Sequence, residues 1–229
     1  MHYSNKISTK NNNMKKAIIL LAISAATFAV HAQPMNHSAE MTMNGTSIEA
    51  GTKYLQFNQA MRKLWSDHMH WTLATVDAFF YEPNQLEMKL NRLLANQKEI
   101  GAAIVPYYGQ AAGDKLGQLL TEHIQLAVPV LKAAKANDKT ALDKGLADWY
   151  KNANDIGDFL SSANAYWPKS VTESHLKEHI TQTTGYAVDI LKGDYTSSIK
   201  NFDIALNHML MLADLLTDGI AKQFPDKFK

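Results

Sequence analysis

The sequence predicts an all-α fold, an up-and-down antiparallel bundle of about six helices, on three observations. From Thr52 onward apolar residues recur at three- and four-residue spacing, and no stretch alternates as a half-buried strand does. The breaks between these runs are short and carry Pro, Gly, Asn and Asp. Short connections make antiparallel neighbours.

The helical runs fall at roughly 54–80, 86–105, 114–136, 139–162, 171–192 and 196–223. Glu82-Pro83-Asn84 ends the first, and the second stops where Pro106 opens a break that lasts to Gly113. Pro129 lies inside the third run, where its missing N–H predicts a kink. Asn137-Asp138, the stretch from Asn164 to Pro168, and Gly193-Asp194 close the next three.

The N-terminus does not belong to this pattern. Met14-Lys15-Lys16 precedes an apolar run of 14 residues, with Val30 and Ala32 at the −3 and −1 positions of a cleavage site before Gln33. That arrangement is a secretory signal peptide over 1–32, too short in its apolar part to span a bilayer. Met1 and Met14 both serve as possible starts. Gln33 to Gly51 is polar and aperiodic and reads as a disordered tether, which leaves 52–229 as the bundle domain. The expected product is periplasmic or secreted, with no membrane span after cleavage.

Removing 1–32 takes Lys6, Lys10, Lys15 and Lys16 and no acid. The chain's 23 basic and 22 acidic residues become 19 and 22, a net charge of −3 over 197 residues. Such a balance excludes a nucleic-acid footprint. The absence of cysteine excludes disulfides, Cys-based zinc sites, thiol nucleophiles and lipoprotein acylation. No Gly-rich phosphate loop, nucleotide fingerprint or Ser-centred elbow occurs, so no organic cofactor is indicated.

An internal repeat organises the bundle. Asn96, Ile100 and Gly101 match Asn152, Ile156 and Gly157 at an offset of 56, with Glu99 opposite Asp155. At the same offset Leu120, Glu122, His123 and Ile124 match Leu176, Glu178, His179 and Ile180. Asp67-His68 is a weaker first copy, and His208 falls opposite Asn96 and Asn152. Three helical hairpins result, each with an acid–His pair on its first helix. His68 and Glu99, His123 and Asp155, and His179 and His208 stand at similar distances from their turns, which predicts one polar layer. His68 shares a stripe with Met61, Leu64, Thr72 and Val76; His123 shares one with Leu116, Leu120, Ala127 and Val130. His208 lies with Ile204, Met211 and Leu215. Glu99 and Asp155 sit towards the flank of their stripes.

Buried histidines and carboxylates are costly unless paired or bound to metal, and helical bundles build metal sites from inward Glu and His. The candidate ligands are therefore His68, Glu99, Glu122, His123, Asp155, Glu178, His179 and His208. Imidazole suits zinc, copper and iron, and carboxylates admit iron, manganese or zinc. The tether adds Met35, His37, Met41 and Met43, soft or borderline donors that select Cu(I). It resembles the Met/His-rich runs of exported copper-handling proteins.

Other motifs give way to simpler readings. His175-Leu-Lys-Glu178-His179 has the form of an inverzincin motif, but the repeat copy places Leu119 where His175 stands. The Glu-x-x-His pairs of ferritin-like di-iron proteins are absent. Trp65, Trp71, Trp149 and Trp167 are expected to fill core.

Several strings resemble a poorly characterised family of exported bacterial all-helical proteins. They are Leu64-Trp-Ser-Asp-His68-Met-His-Trp71-Thr72, Asn96-Gln-Lys-Glu99-Ile-Gly101 with Pro106-Tyr-Tyr-Gly109, and Leu120-Thr-Glu-His123-Ile124. The last runs from Met211-Leu-Ala-Asp214 through Gln223-Phe-Pro-Asp-Lys-Phe228. The resemblance covers residues 60–228 and implies a secreted helical domain. Transferase- or kinase-like labels attached to such proteins find no support in these residues.

The sequence thus predicts an exported bundle that binds a transition metal, copper ahead of zinc or iron, for sequestration or delivery in the envelope. The alternative is a non-enzymatic interaction module whose His/acid layer only fixes helix register. An enzyme is the third class, and no catalytic residue is assigned.

Overall fold

The computed structural model describes residues 45–229, with side chains from Gly51 onward. The expected signal peptide and residues 33–44 of the expected tether lie outside the described residues.

Six helices follow in order: α1 Gly45–Tyr81, α2 Pro83–Tyr108, α3 Gln110–Ala136, α4 Lys139–Ala163, α5 Lys169–Lys192 and α6 Tyr195–Gln223. A 3₁₀ turn, Pro225–Phe228, ends the chain, and no strand occurs among the described residues. The fold is an all-α bundle, as the periodicity predicts. Helix α1 starts at Gly45, so residues 45–51, expected in the tether, are helical.

The break expected from Pro106 to Gly113 shrinks to Gly109 alone. Pro106 sits in the last turn of α2, where only one backbone hydrogen bond is lost to it. Gly109 then reverses the chain at φ 83°, ψ 168°, a backbone that a side chain would forbid. Just beyond it α2 and α3 touch main chain to main chain. A Cβ on Gly101 would stand 2.4 Å from the Gly113 carbonyl oxygen and 3.0 Å from the Gly117 nitrogen.

The second and third hairpins, α3–α4 and α5–α6, share one turn. Asn137 is left-handed at φ 53° and Gly193 at φ 74°. The Asp138 N–H donates to Ala133 O and the Asp194 N–H to Asp189 O, each at 2.9 Å, which caps α3 and α5. The same aspartates cap the next helices, accepting from the N–H of Ala141 at 3.0 Å and of Ser197 at 3.1 Å. The turns themselves therefore repeat at the interval seen in the sequence.

Sequence neighbours pack in pairs and α6 closes against α1, so the six helices form one ring. Across its interior α5 touches both α1 and α3. Helix α6 is long and apolar enough to cross a membrane by length and composition, yet Phe202, Met209, Leu212, Leu216 and Ile220 on it belong to the bundle core. Trp167 is buried against α6, where Gly219 leaves room for its indole. Phe228 covers one end, packing on Tyr54, Phe57 and Tyr107.

Candidate functional site

The first helix of each hairpin carries one buried histidine into the ring: His68 on α1, His123 on α3 and His179 on α5. Only 2–3% of each is exposed. The Nε2 atoms of His68 and His179 lie 3.4 Å apart. His123 stacks on His179 with ring centres 5.8 Å apart and interplanar angle 23°.

Partners on the second helices fix the rings. Gln97 Nε2 donates to Leu93 O at 2.7 Å, which turns its Oε1 towards His68 Nδ1 at 3.3 Å. Asn152 Nδ2 donates to Leu119 O at 3.2 Å and so presents Oδ1 to His123 Nδ1 at 2.8 Å. Both amide oxygens accept, so both Nδ1 atoms carry the proton and both Nε2 atoms carry the lone pair. His179 Nδ1 lies 3.4 Å from the Thr183 hydroxyl, which can donate or accept. The Nε2 of His123 is buried without a hydrogen-bond partner.

Burial pushes the His68 imidazole down to about 3, with His123 adding to the effect and the Gln97 bond opposing it. Burial likewise lowers His123 to about 4, and it holds His179 well below the ordinary imidazole range with help from His68, His123 and His208. All three rings are neutral at physiological pH, the form in which imidazole binds metal.

The predicted carboxylates do not join them. Glu99 is exposed and pairs with Arg92 at 3.2 Å, and Asp155 pairs with Lys151 at 2.7 Å. Glu178 is exposed and accepts from Gln182 at 2.8 Å, while exposed Glu122 lines an open cleft between α2 and α3. The reason for Glu122 and Glu178 is angular. Each directly precedes its histidine, about 100° away around the helix, so an inward His turns its acid outward. His208 is half-buried, stacks on His175 at 4.8 Å and donates from Nε2 to His175 O at 2.9 Å.

The amides are what the sequence reading missed. Asn96 donates to Leu64 O at 3.0 Å, Asn152 to Leu119 O at 3.2 Å, and His208 to His175 O at 2.9 Å. Each carbonyl lies four residues before its hairpin's buried histidine. The signal was the identity of Asn96 and Asn152 in the repeat, where a buried amide in a helix needs a partner.

No family model, curated protein or solved structure matches the chain.

Among the described residues no three His, Asp or Glu side chains stand together as a formed metal-binding group. The close pair is His68 and His179, with His123 as the adjacent third ring. Thr72 and Thr75 stand nearby, each donating its hydroxyl proton at 2.7 Å to a carbonyl of its own helix. Two chemistries fit this set. A cation can lie between the nitrogens, or the His179 Nε2–H can donate to His68 with Thr183 donating to His179 Nδ1.

Proposed function

We propose that the protein binds one transition-metal ion through His68, His179 and His123, and that it does so as an exported protein of the cell envelope. The observation that carries this reading is the His68–His179 pair, whose nitrogens stand 3.4 Å apart. Two imidazole nitrogens on one tetrahedral ion, each about 2.0–2.1 Å from it, lie about 3.4 Å from each other. The lone-pair side of His68, set by Gln97, faces this gap. His123 is the third donor of the proposal: its ring stacks on His179 with centres 5.8 Å apart, and its buried Nε2 has no hydrogen-bond partner.

Copper suits the site better than zinc or iron. No carboxylate accompanies the three neutral imidazoles, and a buried single charge is easier to accommodate than a double one. That favours Cu(I), as do Met35, His37, Met41 and Met43 of the N-terminal segment, which lie outside the described residues. The role that follows is sequestration or delivery of copper in the envelope.

The experiment is direct. Protein beginning at Gln33 is loaded anaerobically with Cu(I), and separately with Zn(II) or Fe(II), then desalted and measured by elemental analysis. One copper per chain is expected, falling at least tenfold in His123→Leu and His179→Leu. Retention of no metal, with thermal stability unchanged on loading, establishes instead a neutral hydrogen-bonded layer that serves helix register, and the protein is then an interaction module.

A further inference from the structure

A cavity of about 40 Å³ adjoins the three histidine rings. It runs from them between α1, α2 and α3 to the half-buried side chains of Leu90 and Val128. A second cavity of about 30 Å³ shares Val76, Ala127 and Trp149 with it and carries the space on towards Phe80 and Val188. We propose that the cavity beside His68, His123 and His179 binds one small uncharged molecule of diatomic size, of the class of dioxygen, nitric oxide or carbon monoxide.

Size sets the upper limit. A single water needs about 10–15 Å³ measured this way, and a cavity that takes benzene measures about 150 Å³. The volume here admits two or three heavy atoms and no ring.

Wall chemistry sets the charge. The lining is carbon almost throughout. The hydroxyls of Thr72 and Thr75 are committed to His68 O and Trp71 O, and that of Thr183 faces His179 Nδ1. An ion entering here leaves its hydration shell with nothing to replace it, whereas an apolar diatomic molecule loses little.

Position gives the binding its meaning. The only nitrogen-bearing rings at the inner end are the three proposed to hold copper and the indole of Trp149. This part of the inference rests on the proposed metal site; the occupancy of the cavity does not.

The test has two arms. In metal-free protein, xenon is titrated while the methyl resonances of Val76, Leu90 and Val128 are followed by NMR. Saturable shifts confined to these methyls are expected, and they disappear in Ala127→Leu, which fills the shared wall; Ala127→Val, a smaller change, gives a partial loss if the first variant does not fold. No saturable shift in the wild type, or shifts undiminished in a folded variant, overturns the proposal whatever the metal result. In the second arm, Cu(I)-loaded protein is exposed to carbon monoxide and read by infrared spectroscopy. One bound carbonyl band is expected, reduced at least tenfold in Ala127→Leu at equal copper content. Copper-loaded wild type without a band overturns the placement of the molecule beside the metal. Protein that retains no copper refutes the metal reading alone, and the xenon arm then decides the cavity.

Discussion

His68 and His179 meet nitrogen to nitrogen across 111 residues of chain, at 3.4 Å inside a closed ring of helices. Two neutral rings so placed need something between them, a proton or a metal ion. Acid distinguishes a site of this kind from an ordinary surface histidine pair.

Stability should fall steeply on mild acidification. In the unfolded chain these imidazoles take up protons near pH 6.5, while folded His68 and His123 do so only at about 3 and about 4. The folded values are the lower ones, so between these limits the unfolded state binds more protons and stability drops as pH drops. These two rings give a slope approaching about 3 kcal/mol per pH unit near pH 5, and His179, also held low by burial, acts in the same direction. Urea unfolding at pH 7, 6, 5 and 4.5 measures it. A flat profile from pH 7 to 5 refutes the burial of three neutral rings.

Asn152 should matter more than any of the four predicted acids. Asn152→Leu strands His123 Nδ1, a loss of about 1–3 kcal/mol for a buried group left unpaired. It also removes the second hydrogen bond of the Leu119 carbonyl, which keeps its partner within α3. Glu99→Gln, Glu122→Gln, Asp155→Asn and Glu178→Gln act on exposed or half-exposed side chains and should each stay within about 0.5 kcal/mol. Their metal content should match the wild type. Guanidinium unfolding and elemental analysis of the five variants check both statements.

This contrast marks how far the sequence could be read. Periodicity and punctuation gave the six helices to within four residues at every end but the start of α1, which lies nine residues earlier than expected, because the apolar faces and the Asn137 and Gly193 turns are local features. The repeat gave the level of the polar layer. What it could not give was azimuth. An acid beside a histidine looks like a pair on paper, yet one step along a helix turns a side chain a quarter of the way round. The first hairpin also divides between Asn96 and Gln97 the two tasks that Asn152 performs alone, since His68 precedes His123 by 55 residues rather than 56. That one-residue slip hides Gln97 from any alignment by offset. Pro106 misled for a different reason: a proline in a last turn ends little.

The helix contact at Gly101 should tolerate no side chain. Gly101→Ala drives a methyl into the α3 backbone, which no rotamer change relieves, and should destabilise by about 1–3 kcal/mol. Gly185 is the control: it lies within α5, and a Cβ there meets nothing within 4 Å. Gly185→Ala should stabilise by about 0.4–1 kcal/mol. Thermal melts of both variants read the difference, and equal effects refute the close approach.

The C-terminal turn should act as a clasp. Phe228 is 7% exposed and touches aromatic rings on α1 and α2. Phe228→Ala should cost about 3 kcal/mol, with faster amide exchange at Tyr54 and Phe57 and little change at His123. Exchange that rises evenly across the bundle shows that the turn does not fasten one end locally.

The three histidines come one from each hairpin, so no hairpin, and no two of them, contains the centre. Chemically the chain is built as a trimer is, with a single donor per unit, although its units are joined end to end. A ribosome that has finished two hairpins has made at most two of the three rings. The site comes into being only when α5 and α6 dock and the circle shuts. On the proposed metal-binding reading, capture of the ion would then report that all three hairpins have folded and docked.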